Sequence, residues 1–502
     1  MALRFAPLMV WVVACSTAGS TDPQSPHGFR VFEAQAGPFE APAAVDRDPD
    51  PTVVDISLEA VPANITLAPG LTVPMWTYNG IVPGPRIEAN VGDTVRIRFR
   101  NFLPDGTTIH WHGVRVPADM DGVARLNGPV ASGDTTTYTF VVPDAGTFWY
   151  HPHVRADEQV ERGLYGALIV HGPDDPPAHS SQTLVLDDLL LDQAGELPTF
   201  EDVSPIEAMV GRQGDVLLVN GRAHPLLELS ATGRHHLRLI NVATSRYFRL
   251  SLPGYRVTQI GTDGGLLPTP RLVETLMLVP GERADVVIEA LSATPSDTPL
   301  RLLPYERGHG TGGGSSATVM TIRSTAEVVN QLDDMPERLR DIEPLPEPAL
   351  RRRLVLGESG GAGHGGHGDH GAPSREEAPE GAAEGEPPTF SINGKSFPEG
   401  EPFMSTLETV EEWAVVNDTE MDHPFHVHGF RFQLVDATGA PERAYRDTVN
   451  VPAKTTVRLR MRLEDHPGRW MFHCHILEHA ERGMMGEFEV SGLSPLRPSP
   501  AP

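Results

Sequence analysis

Residues 473–484 read His-Cys-His-Ile-Leu-Glu-His-Ala-Glu-Arg-Gly-Met and directly follow the apolar run Trp470-Met471-Phe472. The run predicts a buried strand, in which successive side chains point to opposite faces. We therefore expect His473 and His475 on one face and Cys474 on the other. Thiolates, imidazoles and thioethers are all metal-ligating groups. The stretch predicts two metal sites, one on each face, joined by this tripeptide.

The composition predicts a large all-β protein with an acidic surface. The 502 residues are enough for about three domains. Many short apolar runs are bounded by the 49 glycines and 48 prolines, a pattern that favours β-sandwich domains. The formal net charge of -27 disfavours nucleic acid as a partner, because phosphates would be repelled. The two cysteines, Cys15 and Cys474, are not expected to form a disulfide, since Cys474 is a candidate ligand.

The first residues predict an export signal. Arg4 supplies a positive charge, and residues 5–13 are mostly apolar, as in a signal peptide. Residues 1–14 resemble a lipoprotein signal, which would leave Cys15 as a lipid anchor; cleavage after Ala18 is the alternative. Residues 15–51 are rich in Pro, Ala, Ser and Asp and predict a flexible tether. We expect an exported protein of the periplasm or cell envelope, without a transmembrane helix.

One series of motifs occurs twice in the same order. His110-Trp111-His112-Gly113 is followed by an alternating strand, a Pro/Gly turn and Trp149-Tyr150-His151-Pro152-His153. Near the C-terminus, His423-Pro424-Phe425-His426-Val427-His428-Gly429 is followed by an alternating strand, a Pro/Gly turn and residues 470–475. Because the period is far longer than that of a solenoid repeat, the series predicts the duplication of a whole domain.

The domain boundaries follow from these copies. We expect the copies at 52–173 and 331–492, with a middle domain at 174–330 that has the same strand texture but no metal ligands. The third domain includes residues 358–388, a Gly/His segment followed by an acidic Ala/Glu/Pro tract, which predicts disorder. Its histidines would bind metal loosely, or the insert is merely a linker. Residues 493–502 form a tail.

Eight histidines form four pairs with a spacing of two, which directs both rings of a pair to one face of an extended chain. The pairs are His110 and His112, His151 and His153, His426 and His428, and His473 and His475. One such pair is usually accidental, but four in mirrored positions suit a multinuclear centre between two duplicated domains. His423 has an odd offset from His426, so we expect it on the side of Cys474, with His479 and Met484.

The donor set favours copper over zinc. Zinc prefers closed tetrahedral sites, whereas thiolate, imidazole and thioether together favour a blue-copper centre. A mononuclear copper suits the transfer of one electron, and a copper cluster with open positions suits the binding of dioxygen. The tripeptide 473–475 would carry electrons between them. Asp121, just after His112, is a candidate for proton delivery, although an Asp before Gly122 also favours an ordinary turn.

These clusters together resemble the multicopper oxidases, over about residues 52–490, and are similar to the bacterial three-domain group of laccase-like and copper-efflux (cuprous) oxidases. The resemblance implies an all-β fold of three cupredoxin-like Greek-key β-sandwich domains and four copper ions. Asp121 matches the family's acid beside the trinuclear cluster. The implied ligands are His423, Cys474, His479 and Met484 for the type 1 copper, His110 and His426 for the type 2 copper, and His112, His151, His153, His428, His473 and His475 for the type 3 pair.

The sequence departs from the family in two places. Many bacterial relatives carry a glutamate directly after the second type 1 histidine, where it helps to deliver protons. Here that position is Ala480, so we expect Glu481 or Asp121 to compensate. The methionine-rich insert of the copper-efflux type is missing, and the Gly/His segment stands near the start of the third domain instead.

The expected function is an oxidase that reduces dioxygen to water, with electrons from phenols or aromatic amines, or from metal ions such as Cu(I). Glu420, Met421 and Asp422 precede His423 and would hold a cuprous ion there, or form an ordinary acidic loop. A copper-binding or copper-tolerance protein without turnover is the alternative, disfavoured because every ligand is present. Copper nitrite reduction is also disfavoured, since that chemistry does not need the second set of histidine pairs.

Overall fold

The computed structural model describes residues 28–201, 203–311, 316–359 and 387–492. Within these ranges the strands pair into six sheets. The expected export signal, Cys15, most of the Gly/His insert and the C-terminal tail lie outside the described residues. No helix in the described ranges is long and apolar enough to cross a membrane.

The first unit consists of two four-stranded sheets that share one apolar core. The sheet orders are β2-β1-β4-β6 and β3-β8-β7-β5, where the strands are β1 (Val53–Ala68), β2 (Leu71–Tyr78), β3 (Gly84–Asn90), β4 (Thr94–Asn101), β5 (His110–His112), β6 (Thr135–Val141), β7 (Gly146–His151) and β8 (Gly166–His171). The helices are short: a 3₁₀ turn at Ala118–Met120, α1 (Ala124–Asn127) and α2 (Ala156–Glu161).

The second unit packs a seven-stranded sheet against a five-stranded one. The sheet orders are β11-β10-β9-β13-β18-β15-β16 and β12-β20-β19-β14-β17, where the strands are β9 (Ser180–Leu189), β10 (Val216–Val219), β11 (Arg222–Ala223), β12 (Leu226–Ser230), β13 (Arg234–Asn241), β14 (Phe248–Ser251), β15 (Tyr255–Thr262), β16 (Gly265–Val273), β17 (Leu276–Leu278), β18 (Arg283–Ala290), β19 (Asp297–Leu303) and β20 (Ala317–Thr325). Its helix is α3 (Pro205–Val210), capped by the Ser204 hydroxyl.

The third unit packs two five-stranded sheets around one core. The sheet orders are β22-β21-β24-β28-β26 and β23-β30-β29-β25-β27, where the strands are β21 (Leu350–Ser359), β22 (Thr389–Ile392), β23 (Phe403–Thr406), β24 (Thr409–Asn417), β25 (His423–Val427), β26 (Phe432–Leu434), β27 (Thr448–Val451), β28 (Thr456–Leu463), β29 (Gly468–Cys474) and β30 (Met485–Ser491). Its helix is α4 (Leu477–Glu481).

The three units repeat one strand arrangement. In each, the opening strand pairs in parallel with a later strand: β1 with β4, β9 with β13, and β21 with β24. On its other side, that later strand pairs antiparallel with a third strand, which is β6 in the first unit, β18 in the second and β28 in the third. The prediction of an all-β protein built from sandwich domains is confirmed.

Residues 28–51 are packed against the sandwiches, so the predicted tether over 15–51 is wrong for its described part. Phe39 is buried in the core of the second unit, and the Arg30 guanidinium pairs with Asp215 at 2.8 Å. The backbone of Ala43 bridges to Arg86 in the first unit. These contacts could not be predicted from composition, because the few apolar side chains of the segment are outweighed by many Pro, Ala and Asp residues.

Strand register brings the histidine motifs together. Antiparallel pairing of β5 with β7 places His110 opposite His151, and pairing of β25 with β29 places His426 opposite His473. Helix α2 contacts α4, so the first and third units meet beside the histidine motifs.

Candidate metal centre

Three predicted ligands from the third unit converge on one point. The Sγ atom of Cys474 lies 3.5 Å from Nδ1 of His423 and 3.8 Å from Nδ1 of His479. The two Nδ1 atoms are 3.2 Å apart. His423 opens β25, Cys474 ends β29 and His479 lies in α4, and all three side chains are buried. We call these residues the Cys474 trio.

The surroundings of the trio suit a soft metal cation. The far ring nitrogen of His423 contacts the Thr419 hydroxyl at 2.8 Å, and that of His479 donates to the Met209 carbonyl at 3.0 Å. Both Nδ1 atoms are thereby turned toward the sulfur, as in histidines held for a metal. Burial lowers the pKa of His423 to about 3 and raises that of the Cys474 thiol well above its ordinary value. A bound cation would replace the thiol proton.

Met484 and Ala480 lie close to the trio in the chain and in space. The Cys474 amide donates to the Met484 carbonyl at 3.0 Å, and the buried Met484 side chain belongs to the same apolar core as Cys474. Ala480 packs in a small apolar cluster with Val123, Met471 and Met485. Ala480, which stands where the family's glutamate was expected, therefore packs against apolar side chains.

The eight paired histidines form one buried cluster between the first and third units, within which only His153 is partly exposed. The Nε2 atoms of His428 and His473 face each other at 3.0 Å, and those of His153 and His473 at 3.5 Å. Several other buried ring nitrogens have no hydrogen-bond partner in the described chain, namely Nε2 of His110, His151 and His426, Nδ1 of His112 and both nitrogens of His475. Unpartnered buried polar atoms are costly, so converging imidazoles of this kind suit metal ions.

Outer hydrogen bonds turn the reactive nitrogens inward. The Nδ1–H groups of four rings donate to backbone carbonyls at 2.8–3.0 Å, which directs each Nε2 to the interior of the cluster. Burial lowers the pKa of most of these imidazoles, so they stay neutral, the form that binds metal. The four donors and their acceptors are His110 to Asp121, His151 to Pro152, His426 to Asp447 and His473 to Cys474.

Asp121 is a buried carboxylate at the edge of the cluster. Its Oδ2 accepts a hydrogen bond from Nδ1 of His428 at 2.8 Å. Burial alone would raise its pKa, but His428 and His110 together hold the pKa well below the usual range. Asp121 therefore stays ionised beside the imidazoles.

Asp447 is a second acid in the cluster, which the sequence analysis missed. Its Oδ1 lies 3.2 Å from Nε2 of His112, and Arg283 of the middle unit donates to its two oxygens at 2.7 and 2.6 Å. Burial would raise the pKa of Asp447, but Arg283 outweighs this and holds it well below the usual range. The only signal in the sequence was a charge just before the buried strand β27, without a motif around it.

Two further acids, the exposed Glu481 and the buried Glu478, lie where α2 meets α4. Glu481 accepts a hydrogen bond from the Ala156 amide at 2.7 Å, three residues after His153. Glu478 accepts one from the Arg212 amide at 2.8 Å, and burial raises its pKa to about 8. Glu478 is therefore a carboxyl group that can hold a proton near neutral pH.

The three residues predicted to hold a cuprous ion before His423 have different surroundings. Glu420 is exposed and pairs with Lys454 at 2.9 Å. Met421 is buried, and its Sδ accepts a hydrogen bond from Arg307 at 3.4 Å. The buried Asp422 carboxylate accepts hydrogen bonds from the Tyr305 hydroxyl, the Asn450 side chain and the Ala453 amide at 2.7–2.9 Å. They do not form one open cation site.

Sequence profiles described as multicopper oxidase match residues 60–175, 182–300 and 371–493. The multicopper oxidase MmcO of Mycobacterium tuberculosis is 29% identical and covers 86% of each chain, and the laccase of Bacillus subtilis is 25% identical over 83% of this chain and 90% of its own. The solved structure of a multicopper oxidase from Campylobacter jejuni, described as a metallo-oxidase, is 31% identical with a TM-score of 0.77, covering 93% of this chain and 97% of its own.

The fold, the cluster of donor residues and these similarities define a copper oxidase, and the chain belongs to the multicopper oxidase family. It binds copper and couples one-electron oxidation of small donors to the four-electron reduction of dioxygen to water. The alternative of copper binding without turnover is not favoured.

Proposed function

We propose that the chain holds four copper ions at the positions implied by its motifs. His423, Cys474, His479 and Met484 would hold the type 1 copper, His110 and His426 the type 2 copper, and the remaining six paired histidines the type 3 pair. The observation that carries the proposal is the set of buried, inward-facing ring nitrogens without hydrogen-bond partners. Buried polar groups are normally satisfied, and copper ions would satisfy these.

The protein's part in catalysis is to hold and orient these donors. Bound copper would supply one-electron transfer at the thiolate site and multi-electron dioxygen chemistry at the histidine cluster. Cys474 belongs to the first site, while His473 and His475, its neighbours, face the cluster. The tripeptide is therefore the shortest covalent path between the two sites, and the rings are kept in place by the outer hydrogen bonds.

Proton supply is assigned to Asp121 and Glu481. Asp121 accepts from the His428 ring at Oδ2, so its other oxygen, which has no hydrogen-bond partner in the described chain, would take up a proton and pass it on to the cluster. Glu481 lies on the other side, at the contact between α4 and α2. It would take over the role of the family's glutamate, whose position is Ala480.

Phenols or aromatic amines are the proposed electron donors. Met421 and Asp422, the candidate ligands for a substrate cation, already have protein partners, and the Met421 sulfur faces the positive Arg307. Arg307 itself helps to line a small pocket with the aromatic rings of Phe29, Tyr247 and Tyr305 and with the polar Arg246 and Gln213. Stacking on these rings would suit a flat aromatic molecule.

Oxygen-uptake kinetics on the copper-loaded protein test this function. A bulky phenol and Cu(I) are compared as donors, with Cys474→Ser as the variant that removes the thiolate. We expect turnover with the phenol, and loss of both the intense blue colour and oxygen uptake in the variant. Turnover with Cu(I) alone would overturn the donor class, and a full rate in the variant would overturn the role of Cys474.

Export and domain division complete the proposal. An acidic protein with a lipoprotein-like signal would be exported to the periplasm or cell envelope, anchored through Cys15. Labelling of the mature protein with a radioactive fatty acid, compared with a Cys15→Ala variant, tests the anchor.

Domains at 52–173, 174–330 and 331–492 would each correspond to one of the three sandwiches.

A further inference from the structure

Arg307 is a buried arginine of the middle unit that contacts the third unit at Met421, two residues before His423 of the Cys474 trio. It follows β19, and only 2% of its surface is exposed. One guanidinium nitrogen donates to the Met421 sulfur at 3.4 Å, and another donates to the Val210 carbonyl. With its amide oxygen turned toward the guanidinium, Gln213 accepts from Arg307 at 2.7 and 3.3 Å. The guanidinium carbon also lies 5.5 Å from the centre of the Tyr247 ring.

All of these contacts are with neutral groups. Within the described ranges, Arg307 forms no ion pair with a carboxylate, whereas its neighbour Arg246 pairs with Asp188 at 2.6 Å. Glu478 acts on Arg307 only through space, since its carboxyl group accepts a hydrogen bond from the Arg212 amide instead. The Arg307 guanidinium therefore has no carboxylate partner in the described chain, which is uncommon for a buried arginine.

The field of this charge reaches the trio. Met421, which contacts the guanidinium, stands two residues before His423. The Val210 carbonyl, which also accepts from Arg307, directly follows Met209, whose carbonyl accepts from His479. Charges in a protein interior are poorly screened, so the interaction persists at ordinary salt.

We propose that Arg307 raises the reduction potential of the type 1 copper and so determines which electron donors the enzyme can oxidise. The inference rests on the proposed function, because it needs copper at the trio. Reduction of Cu(II) to Cu(I) removes one positive charge from the site. A fixed cation nearby destabilises the more positive Cu(II) form, so it favours uptake of the electron. Arg307 touches no donor atom of the trio and acts as a positioning residue through its charge.

The test is the midpoint potential of the blue copper, followed by its colour during a redox titration of the copper-loaded protein. Arg307→Gln removes the charge, and Arg307→Lys keeps it. Gln213→Glu keeps the guanidinium but places a carboxylate against it, with almost no change in shape. The control is Arg249→Gln, which removes an exposed arginine that hydrogen-bonds to the Pro304 carbonyl, where water and salt screen the charge.

We expect the potential to shift downward in Arg307→Gln and Gln213→Glu, and to stay near the unaltered value in Arg307→Lys and Arg249→Gln. If Arg307→Gln fails to fold, the near-isosteric Gln213→Glu decides the matter. An unshifted potential in a blue Gln213→Glu protein would overturn the inference. A protein that never turns blue without any substitution would instead overturn the proposed copper site, so the two failures are distinct.

Discussion

Asp121 and His428 are 307 residues apart in the chain, and the Asp121 carboxylate accepts a hydrogen bond from the His428 ring at 2.8 Å. The contact joins the first unit to the third across the histidine cluster. It also places Asp121, one of the two acids predicted to deliver protons, within one hydrogen bond of a candidate ligand.

Replacing Asp121 by Asn should slow dioxygen reduction while leaving electron uptake intact. The amide keeps the shape and can still accept from His428, but it cannot pass a proton, and positioned acids and bases contribute about 10²-fold or more to rate. We expect kcat for oxygen uptake at saturating phenol to fall by about 10²-fold. The control is the anaerobic rate at which phenol bleaches the blue colour, which should not change. An unchanged kcat would remove Asp121 from the proton path.

Replacing Asp447 by Asn should destabilise the fold. The substitution removes the closer carboxylate of the buried Arg283 guanidinium and leaves only Asp263, at 3.5 Å; breaking a buried ion pair costs about 3 kcal/mol or more. Denaturant unfolding of the copper-free protein measures the loss. The matched control is Asp297→Asn, which breaks an exposed two-hydrogen-bond pair with Arg323 and should leave the unfolding midpoint within experimental error. Equal effects of the two changes would contradict a special role for the buried pair.

Removal of copper should lower the melting temperature. The native histidine cluster binds the ions and the unfolded chain does not hold them together, so binding free energy adds to folding free energy. Free copper at 100 times its Kd stabilises the folded state by about 2.7 kcal/mol for a single site. This corresponds to a rise in melting temperature of roughly 5–10 °C for a domain of about 150 residues. Calorimetry of the chelator-treated and reloaded protein measures the difference. Identical transitions would show that the unpartnered ring nitrogens are not copper ligands.

The copper-free protein should also lose stability in mild acid. Burial lowers the pKa of His423 to about 3 and lowers those of most of the paired histidines, against 6.5 in the unfolded chain. The unfolded state therefore takes up more protons between these values, and the free energy of unfolding falls as the pH drops from about 6.5 to about 3. Urea unfolding of the chelator-treated protein at a series of pH values shows this. A flat profile across that window would mean that these imidazoles are charged or exposed in the folded state.

The copper family and the paired histidines were predictable because the decisive information is local. Two histidines spaced by one residue share a face of any strand, so each pair can be recognised without knowing its neighbours. Cys474 is distinguished in the same way, by its alternation with His473 and His475. Recurrence of these short patterns in the same order was enough to indicate the duplicated sandwich.

Residues whose importance depends on distant packing were not predictable. Asp447 matters only because β18 of another unit brings Arg283 against it, and nothing near either residue in the chain marks the pair. Arg307 stands in an unremarkable loop until its side chain reaches Met421. Residues 28–51 were misjudged for a similar reason, since Phe39 finds its core more than a hundred residues away.

The middle sandwich, which carries none of the predicted copper ligands, nevertheless contributes Met209, Arg283 and Arg307 to the environment of both sites. Its sequence is not constrained by copper coordination, since no substitution in it removes a predicted copper ligand. Evolution and protein engineering can therefore change the driving force for electron transfer and the stability of such an oxidase by altering a domain that holds no metal. The copper ligands can be inherited unchanged while these two properties are adjusted.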